Sequence, residues 1–175
     1  KSFKENSKYF PNSPYAASKA ASDHIVRAYH KTYKIPVVTT NCSNNYGKGQ
    51  YFEKLIPLVI SNALKKKHLP VYGNGNQIRD WLYVDDHCNA ILKIFKAGRI
   101  GETYNIGGNN EIKNIVLVKK ICKYLDKKLK KKGKNSHLNL IKFVKDRPGH
   151  DLRYSINSKK IKKELKWKSS YKFDK

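Results

Sequence analysis

SPYAASKAASDHIVRAYHKTYKIPVVTTNC, residues 13–42, decides how the rest of the chain is read. Ser13 and Pro14 form a helix start, with serine at the cap and proline in the first turn. Residues 15–33 are Ala-rich and free of Gly and Pro. They carry Ala21, Ile25, Ala28 and Tyr29 at helical spacing, which predicts one long helix with an apolar face. Pro36 closes the connection, and the β-branched run 36–42 reads as a buried parallel strand. Asn44-Asn45-Tyr46-Gly47 is expected as a loop at that strand's C-terminal end, the edge where open α/β sheets bind ligands.

The alternation continues outward. Residues 53–66 predict a helix with Leu55, Ile56, Val59, Ile60 and Ala63 on one face, followed by a strand at 69–72 and a Gly73-Asn74-Gly75 turn. A strand at 81–84 leads into a helix capped by Asp85 or Asp86 and running to about Lys96. A strand at 102–106, an amphipathic helix at 115–130, a strand at 138–144 and a short helix at 158–165 complete the chain, with loops at 130–136 and 146–151. No internal repeat is present. Strands alternating with helices predict an α/β fold with a mostly parallel sheet.

The 175 residues include 38 Lys+Arg against 13 Asp+Glu, a net charge of +25. Only five of the basic residues are arginine (Arg27, Arg79, Arg99, Arg147, Arg153). Sequence-reading nucleic-acid proteins favour arginine's bidentate fork. Scattered lysine among abundant Asn and Ile instead fits a compositional bias toward solvated lysine, so no specific nucleic-acid partner is expected. No apolar run approaches the ~20 residues of a membrane span, so no membrane partner is expected either. The N-terminus holds no signal-like stretch and the chain no methionine, which reads as a piece of a longer protein. Cys42, Cys88 and Cys122 show neither C-x-x-C nor zinc spacing, so no metal is expected. Cys42 and Cys88 lie in apolar stretches and read as buried, in a reduced, cytoplasmic setting.

Tyr15 and Lys19 are one turn apart and share a helix face. An ammonium beside a phenol favours the phenolate, a usable general acid/base. The same spacing also describes a solvated surface pair. A second group suits phosphate. Lys54 stands at a helix start. Arg79 follows a Gly-rich turn, and Arg147 and His150 flank Pro148-Gly149 in a tight loop. Pro70, Val71 and Tyr72 offer an aromatic edge and backbone groups for a flat base, or core packing. Asn44 and Asn45 can hydrogen-bond a sugar or cofactor, or simply turn the chain. His24, His30, His68, His87 and His137 have no partner pattern and read as structural.

The strings together resemble a known family. SPYAASKAASDH (13–24) is similar to the active-site helix of extended short-chain dehydrogenase/reductases. NCSNNYG (41–47), EKLIP (53–57), QIRDWLYVDDH (77–87), YNIGG (104–108) and DRPGHD (146–151) resemble the dTDP-glucose 4,6-dehydratase branch. The resemblance implies the C-terminal portion of a Rossmann-type NAD-binding domain (1–45 and 80–100). It also implies a smaller α/β nucleotide-sugar-binding domain (46–79 and 101–175). It implies NAD as cofactor and dehydration of dTDP-glucose to dTDP-4-dehydro-6-deoxyglucose, with hydride leaving C4 and returning at C6, a step toward deoxysugars such as rhamnose. Tyr15 would take the C4 hydroxyl proton and Lys19 hold the nicotinamide ribose. Asn45 would touch the cofactor and Asn44 the substrate. Lys54, Leu55, Pro70, Val71, Tyr72, Arg79, Asn114, Asp146, Arg147, Pro148, Gly149 and His150 would hold the nucleotide diphosphate. A homodimer through the Tyr15 helix is implied as well.

The family's Gly-rich turn and Thr-Asp-Glu segment would lie upstream of residue 1, so residues 1–175 alone are expected to be inactive. Lys48, Phe52 and Ser169 stand where relatives carry proline. Two other readings remain open: another nucleotide-sugar enzyme of the family, such as a 4-epimerase, and, from a different class, a basic nucleic-acid-binding module.

Overall fold

The computed structural model describes residues 2–173; the outermost ends of the expected domains, Lys1, Asp174 and Lys175, lie outside them. The chain divides into two compact units. The first takes residues 1–45, 80–110 and 154–175, the second 46–79 and 111–153. Residues 101–110 and 154–173 therefore pack with the first unit, not with the second as the expected 101–175 boundary had it. The reason is pairing. Strand β1 (Thr39–Cys42) runs parallel to β5 (Thr103–Ile106), with Cys42 opposite Ile106. The short helix α5 (Lys159–Leu165) buries Ile161 in the core that also takes Tyr104 and Ile106.

In the first unit, helix α1 spans Pro14–Tyr33 as the sequence predicts. The Ser13 hydroxyl accepts from the Ala16 amide at 3.2 Å, an N-cap worth about 1 kcal/mol. Lys34 ends the helix in the left-handed region, φ 57°. The stripe that packs inward is not the one at 21, 25, 28 and 29. Ala16, Ala20, Asp23, Val26 and His30 form the half-buried or buried stripe, while Ala21, Ile25, Ala28 and Tyr29 are exposed. Both stripes have helical spacing, and only the packing of the helix chooses between them. Helix α3 (Val84–Ala97) buries Asp86, Ala90 and Ile94 at i, i+4, i+8. Leu82, Ala90, Ile94, Tyr104, Ile106, Ile161 and Trp167 form this unit's core.

In the second unit, helix α2 (Leu55–Leu64) and helix α4 (Asn114–Lys128) bury Val59, Ala63, Val118 and Cys122 against Leu69 and Val71. Those two come from β3 (Leu69–Tyr72), which pairs in parallel with β7 (Ile141–Val144), Tyr72 opposite Val144. The strand expected at 138–144 is shorter because residues 137–140 form a 3-10 turn. The short strands β2 (Asn44–Tyr46), β4 (Ile78–Tyr83), β6 (Glu111–Lys113) and β8 (Arg153–Tyr154) fall where the chain passes from one unit to the other. The loop expected at 44–47 is thus mostly strand. Such a polar segment carries no strand signal of its own.

Two buried carboxylates organise the first unit. Asp80, 1% exposed, accepts from the amides of Gly108 (3.0 Å) and Asn110 (2.7 Å), clamping the Gly-Gly turn after β5. Its burial pushes its pKa up, and those hydrogen bonds pull against the shift. Asp86 does not cap its own helix, whose cap residue is Tyr83. Its carboxylate instead accepts from the Ser169 hydroxyl (2.9 Å), the Ser170 hydroxyl (2.6 Å) and the amides of Ser170 and Tyr171 (2.9 Å each). Ser169 is thereby part of the anchor. Cys88, expected buried, is exposed, Cys42 is half-buried and Cys122 is buried.

Candidate active site

Each unit carries one chemically suited group. In the first, Tyr15 lies in the first turn of α1 with its ring 76% exposed, and Lys19, also exposed, follows one turn later on the same face. The Ser18 hydroxyl donates back to the Tyr15 carbonyl at 2.8 Å. The positive charge of Lys19 is felt at Cys42, at the end of β1. It favours the thiolate there, although burial is the larger influence and the Cys42 thiol is pushed up. Cys42 ends a parallel strand, and the carboxyl ends of such strands are where α/β sheets bind ligands.

Asn45, just beyond that strand end, has its amide oriented by three contacts. Nδ2 donates to the Ser43 carbonyl (3.2 Å) and to Cys42 Sγ (3.4 Å), so Oδ1 is the atom that accepts from His87 Nδ1 at 2.9 Å. Burial holds the His87 pKa below its ordinary value, which keeps the ring neutral with its proton on Nδ1. His87 is thus a partner of Asn45, which sequence reasoning missed. The two are 42 residues apart, and no spacing rule joins them. Asn44 is half-buried beside it.

The second unit gathers residues from two distant segments, 72–79 and 146–150. Asp146 is the hub. Its Oδ1 accepts from His150 Nδ1 (2.6 Å) and the Arg147 amide (2.8 Å), and its Oδ2 from Gln77 Nε2 (2.7 Å). The His150 hydrogen bond is the leading reason its carboxyl sits below the usual carboxylate range. Arg147 Nη2 donates to His150 Nε2 at 3.0 Å, so His150 uses one nitrogen as donor and one as acceptor. The Arg147 guanidinium lies 5.1 Å from the centroid of the Tyr72 ring, and the His150 ring meets Tyr72 edge-on at 6.4 Å. Pro148 and Gly149 make the turn that brings His150 back onto Arg147.

Arg79 is half-buried, near enough to Asp146, Arg147 and Asp151 for their charges to act on it. Burial is the main influence lowering its pKa; the carboxylates of Asp151 and Asp146 oppose it, and the charge of Arg147 adds to it. Of its five N–H donors, one is spent on the Ile78 carbonyl at 2.8 Å. Two guanidiniums sharing one field, one with donors to spare, can hold a diphosphate. The partly exposed Tyr72 ring beside them can take a flat base.

The remaining sequence candidates sit as follows. Val71 is 2% exposed, backbone and side chain alike, and Pro70 is half-buried. Leu55 packs against the second core and Lys54 is the cap residue of α2. The hydrogen bonds that tie the Asp146 cluster do not include Lys54. Asn114 starts α4, and its amide donates to the Gln77 carbonyl at 2.9 Å. Its Oδ1 is enclosed with no hydrogen-bond partner in the structure. Among the described residues no three His, Cys, Asp or Glu side chains gather as metal ligands, and no helix is long and apolar enough to cross a membrane.

Residues 1–175 match the protein family described as GDP-mannose 4,6 dehydratase. A curated dTDP-glucose 4,6-dehydratase of Xanthomonas campestris pv. campestris is 56% identical over 98% of this chain. The chain spans 49% of that relative, about half its length. Among solved structures, a dTDP-glucose 4,6-dehydratase from Bacillus anthracis in complex with NAD superposes with a TM-score of 0.90 at 50% identity, over 99% of this chain and 52% of that one. One from Streptomyces venezuelae, also with NAD bound, gives 0.92 at 44% identity, over 99% and 51%. The α/β fold with parallel strand pairs agrees with both.

Proposed function

The chain belongs to the GDP-mannose 4,6 dehydratase family, and from that premise we propose that the protein removes water from dTDP-glucose to give dTDP-4-dehydro-6-deoxyglucose, with NAD as its cofactor. The observation that carries this reading is the meeting of Arg79, Arg147, Asp146 and His150 beside Tyr72 in one unit. That cluster suits a nucleoside diphosphate, and relatives at 56% identity bear the name of the dTDP-glucose enzyme.

The residues of the first unit fit NAD. Tyr15 and Lys19 are exposed on one helix face, so a ribose could meet both without displacing a protein group. Bound NAD would supply the acceptor for the C4 hydrogen and its return at C6. Tyr15 Oη would take the proton of the sugar C4 hydroxyl. Lys19 would hold the ribose hydroxyls and keep a positive charge near the phenolate. Asn45 would touch the cofactor and Asn44 the substrate.

In the second unit Arg79, Arg147 and Lys54 would bind phosphate oxygens, and Tyr72 the base. The backbone of Leu55, Pro70 and Val71, the Asn114 carboxamide, and the loop of Asp146, Pro148, Gly149 and His150 would complete the nucleotide contacts. The first unit would serve as cofactor domain and the second as nucleotide-sugar domain. By resemblance, the carboxylic pair that works at C5 and C6 belongs to the half of the relatives that this chain does not span. A homodimer through α1 is part of the proposal. Its support is the exposed stripe of Ala17, Ala21, Ile25, Ala28 and Tyr29, with Ile25 57% and Tyr29 52% exposed.

The test is 4-keto sugar formation by the full-length protein from dTDP-glucose, UDP-glucose and GDP-mannose. Turnover favouring dTDP-glucose is expected, with Tyr15→Phe lowering kcat about 100-fold or more. Equal turnover by Tyr15→Phe, or no preference for dTDP-glucose, would overturn the reading.

A further inference from the structure

The lysines are not evenly spread over the second unit. Lys66, at the end of α2, and Lys130, Lys131, Lys132 and Lys134, after α4, line one hollow of about 430 Å³ that no acidic side chain lines. We propose that this hollow is a binding site for a small polyphosphate anion, separate from the Arg79–Arg147 cluster.

The hollow has a fixed floor. His137, 1% exposed, donates from Nδ1 to Asp126 Oδ1, and its Nε2 faces the Lys131 ammonium at 3.4 Å. An ammonium only donates, so Nε2 accepts and Lys131 is held in place. Asp126 stands behind this floor with its oxygens taken by the His137 ring, the His137 amide (3.0 Å) and the Ser136 hydroxyl (2.5 Å). Its charge is therefore engaged by groups other than the lysines.

The plain alternative is that the lysines compensate helix ends. Both α2 and α4 finish here, and each C-terminus carries about half a negative charge. Two ends call for about one positive charge, whereas five lysines line the hollow. Carbonyls at both ends also have backbone partners: Asn62 O accepts from Lys67 (2.8 Å) and Asp126 O from Lys131 (2.9 Å). The surplus charge repels itself, and a compact anion relieves it.

The side chains select the kind of anion. Ammoniums act as point charges and suit phosphate oxygens of any orientation. His137 is the only aromatic ring lining the hollow, and both its nitrogens are engaged, so nothing offers a stacking surface to a base. The ligand is accordingly phosphate-rich rather than a nucleic acid.

Calorimetric titration of the protein with sodium tripolyphosphate tests this, with monophosphate for comparison. Saturable tripolyphosphate binding is expected, weakening as salt rises. The Lys130→Gln/Lys132→Gln/Lys134→Gln variant should bind about tenfold or more weakly while keeping its affinity for dTDP. The single Lys134→Glu change at an exposed position should weaken binding too, and serves should the triple variant not fold. Neutralising Lys119, Lys123 and Lys127 on the exposed row of α4 removes equal charge elsewhere and should leave tripolyphosphate binding intact. No binding by the unaltered protein overturns the proposal. So does equal weakening in the α4 control, which would reveal general charge attraction. Loss only in an Arg79→Gln/Arg147→Gln variant also overturns it, since the anion would then sit in the nucleotide cluster.

Discussion

Gly73→Ala probes how closely the second unit's site is built. Gly73 follows β3 in the left-handed region at φ +57°, and its amide donates to the Val144 carbonyl at 2.9 Å. A Cβ there would stand 2.8 Å from Asp146 Oδ2 and 3.2 Å from Asp146 Cγ. Ordinary contact begins near 3.4 Å, so the carboxylate must retreat by about 0.6 Å. That carboxylate holds Gln77, His150 and the Arg147 amide together. The left-handed backbone costs an alanine about 1–2 kcal/mol on its own. Gly49→Ala separates the two effects, because Gly49 has φ +80° and nothing within 4 Å of its would-be Cβ. Gly49→Ala should lose about 1–2 kcal/mol in urea denaturation, and Gly73→Ala more than that, because the displaced carboxylate also weakens its hydrogen bonds. Only Gly73→Ala should also lose affinity for dTDP, by about tenfold, measured by calorimetry. If the two variants bind dTDP equally well, the carboxylate hub does not organise the nucleotide site and the reasoning fails.

Other consequences follow from buried polar groups. Asp86→Ala strands two backbone amides and two hydroxyls, at about 1–3 kcal/mol per unsatisfied amide. Because residues 169–173 can detach and hydrate, the expected loss is nearer about 2 kcal/mol, with faster amide exchange at Ser170 and Tyr171; unchanged exchange there would refute it. Burial alone would raise the Asp86 pKa, but hydrogen bonds from Ser170, Tyr171 and Ser169 outweigh it, so its contribution holds above the ordinary 3.8 and fades as pH falls through its folded value. His87 works in the same direction at higher pH. Its folded pKa lies below the ordinary 6.5, so the folded state binds fewer protons, and stability is full above 6.5 and declines as pH falls through the folded value. His87→Gln should flatten that decline in thermal melts; an unchanged slope would mean another group is responsible. Alkylation should reach exposed Cys88 first and Cys122 last, since burial pushes the Cys122 thiol up to about 11; mass spectrometry of partly labelled protein gives the order.

Local signals were legible wherever neighbours in sequence supply the interaction. Ser13 caps the helix it was expected to cap, because its partner amide is three residues away. The strand at 69–72 and the helices around 55–64 and 114–128 follow from apolar spacing that a core must satisfy. What the sequence left undecided were choices between equivalent patterns. Helix α1 has two stripes at helical spacing, and it presents Ala16, Ala20 and Val26 inward while leaving Ile25 and Tyr29 outside. Asp86 resembled a cap and became the anchor of a segment 83–85 residues away.

By itself, then, the amino-acid order determined the α/β alternation, the helix starts and the residue types able to do the chemistry, since these depend on hydrogen bonds and spacing within a turn or two. Only the tertiary structure decided that His87 orients Asn45, that Asp146 binds Gln77 and His150 into one hub, and that Arg147 lies over Tyr72. Contacts across tens of residues depend on the path of the whole chain, which no local pattern encodes.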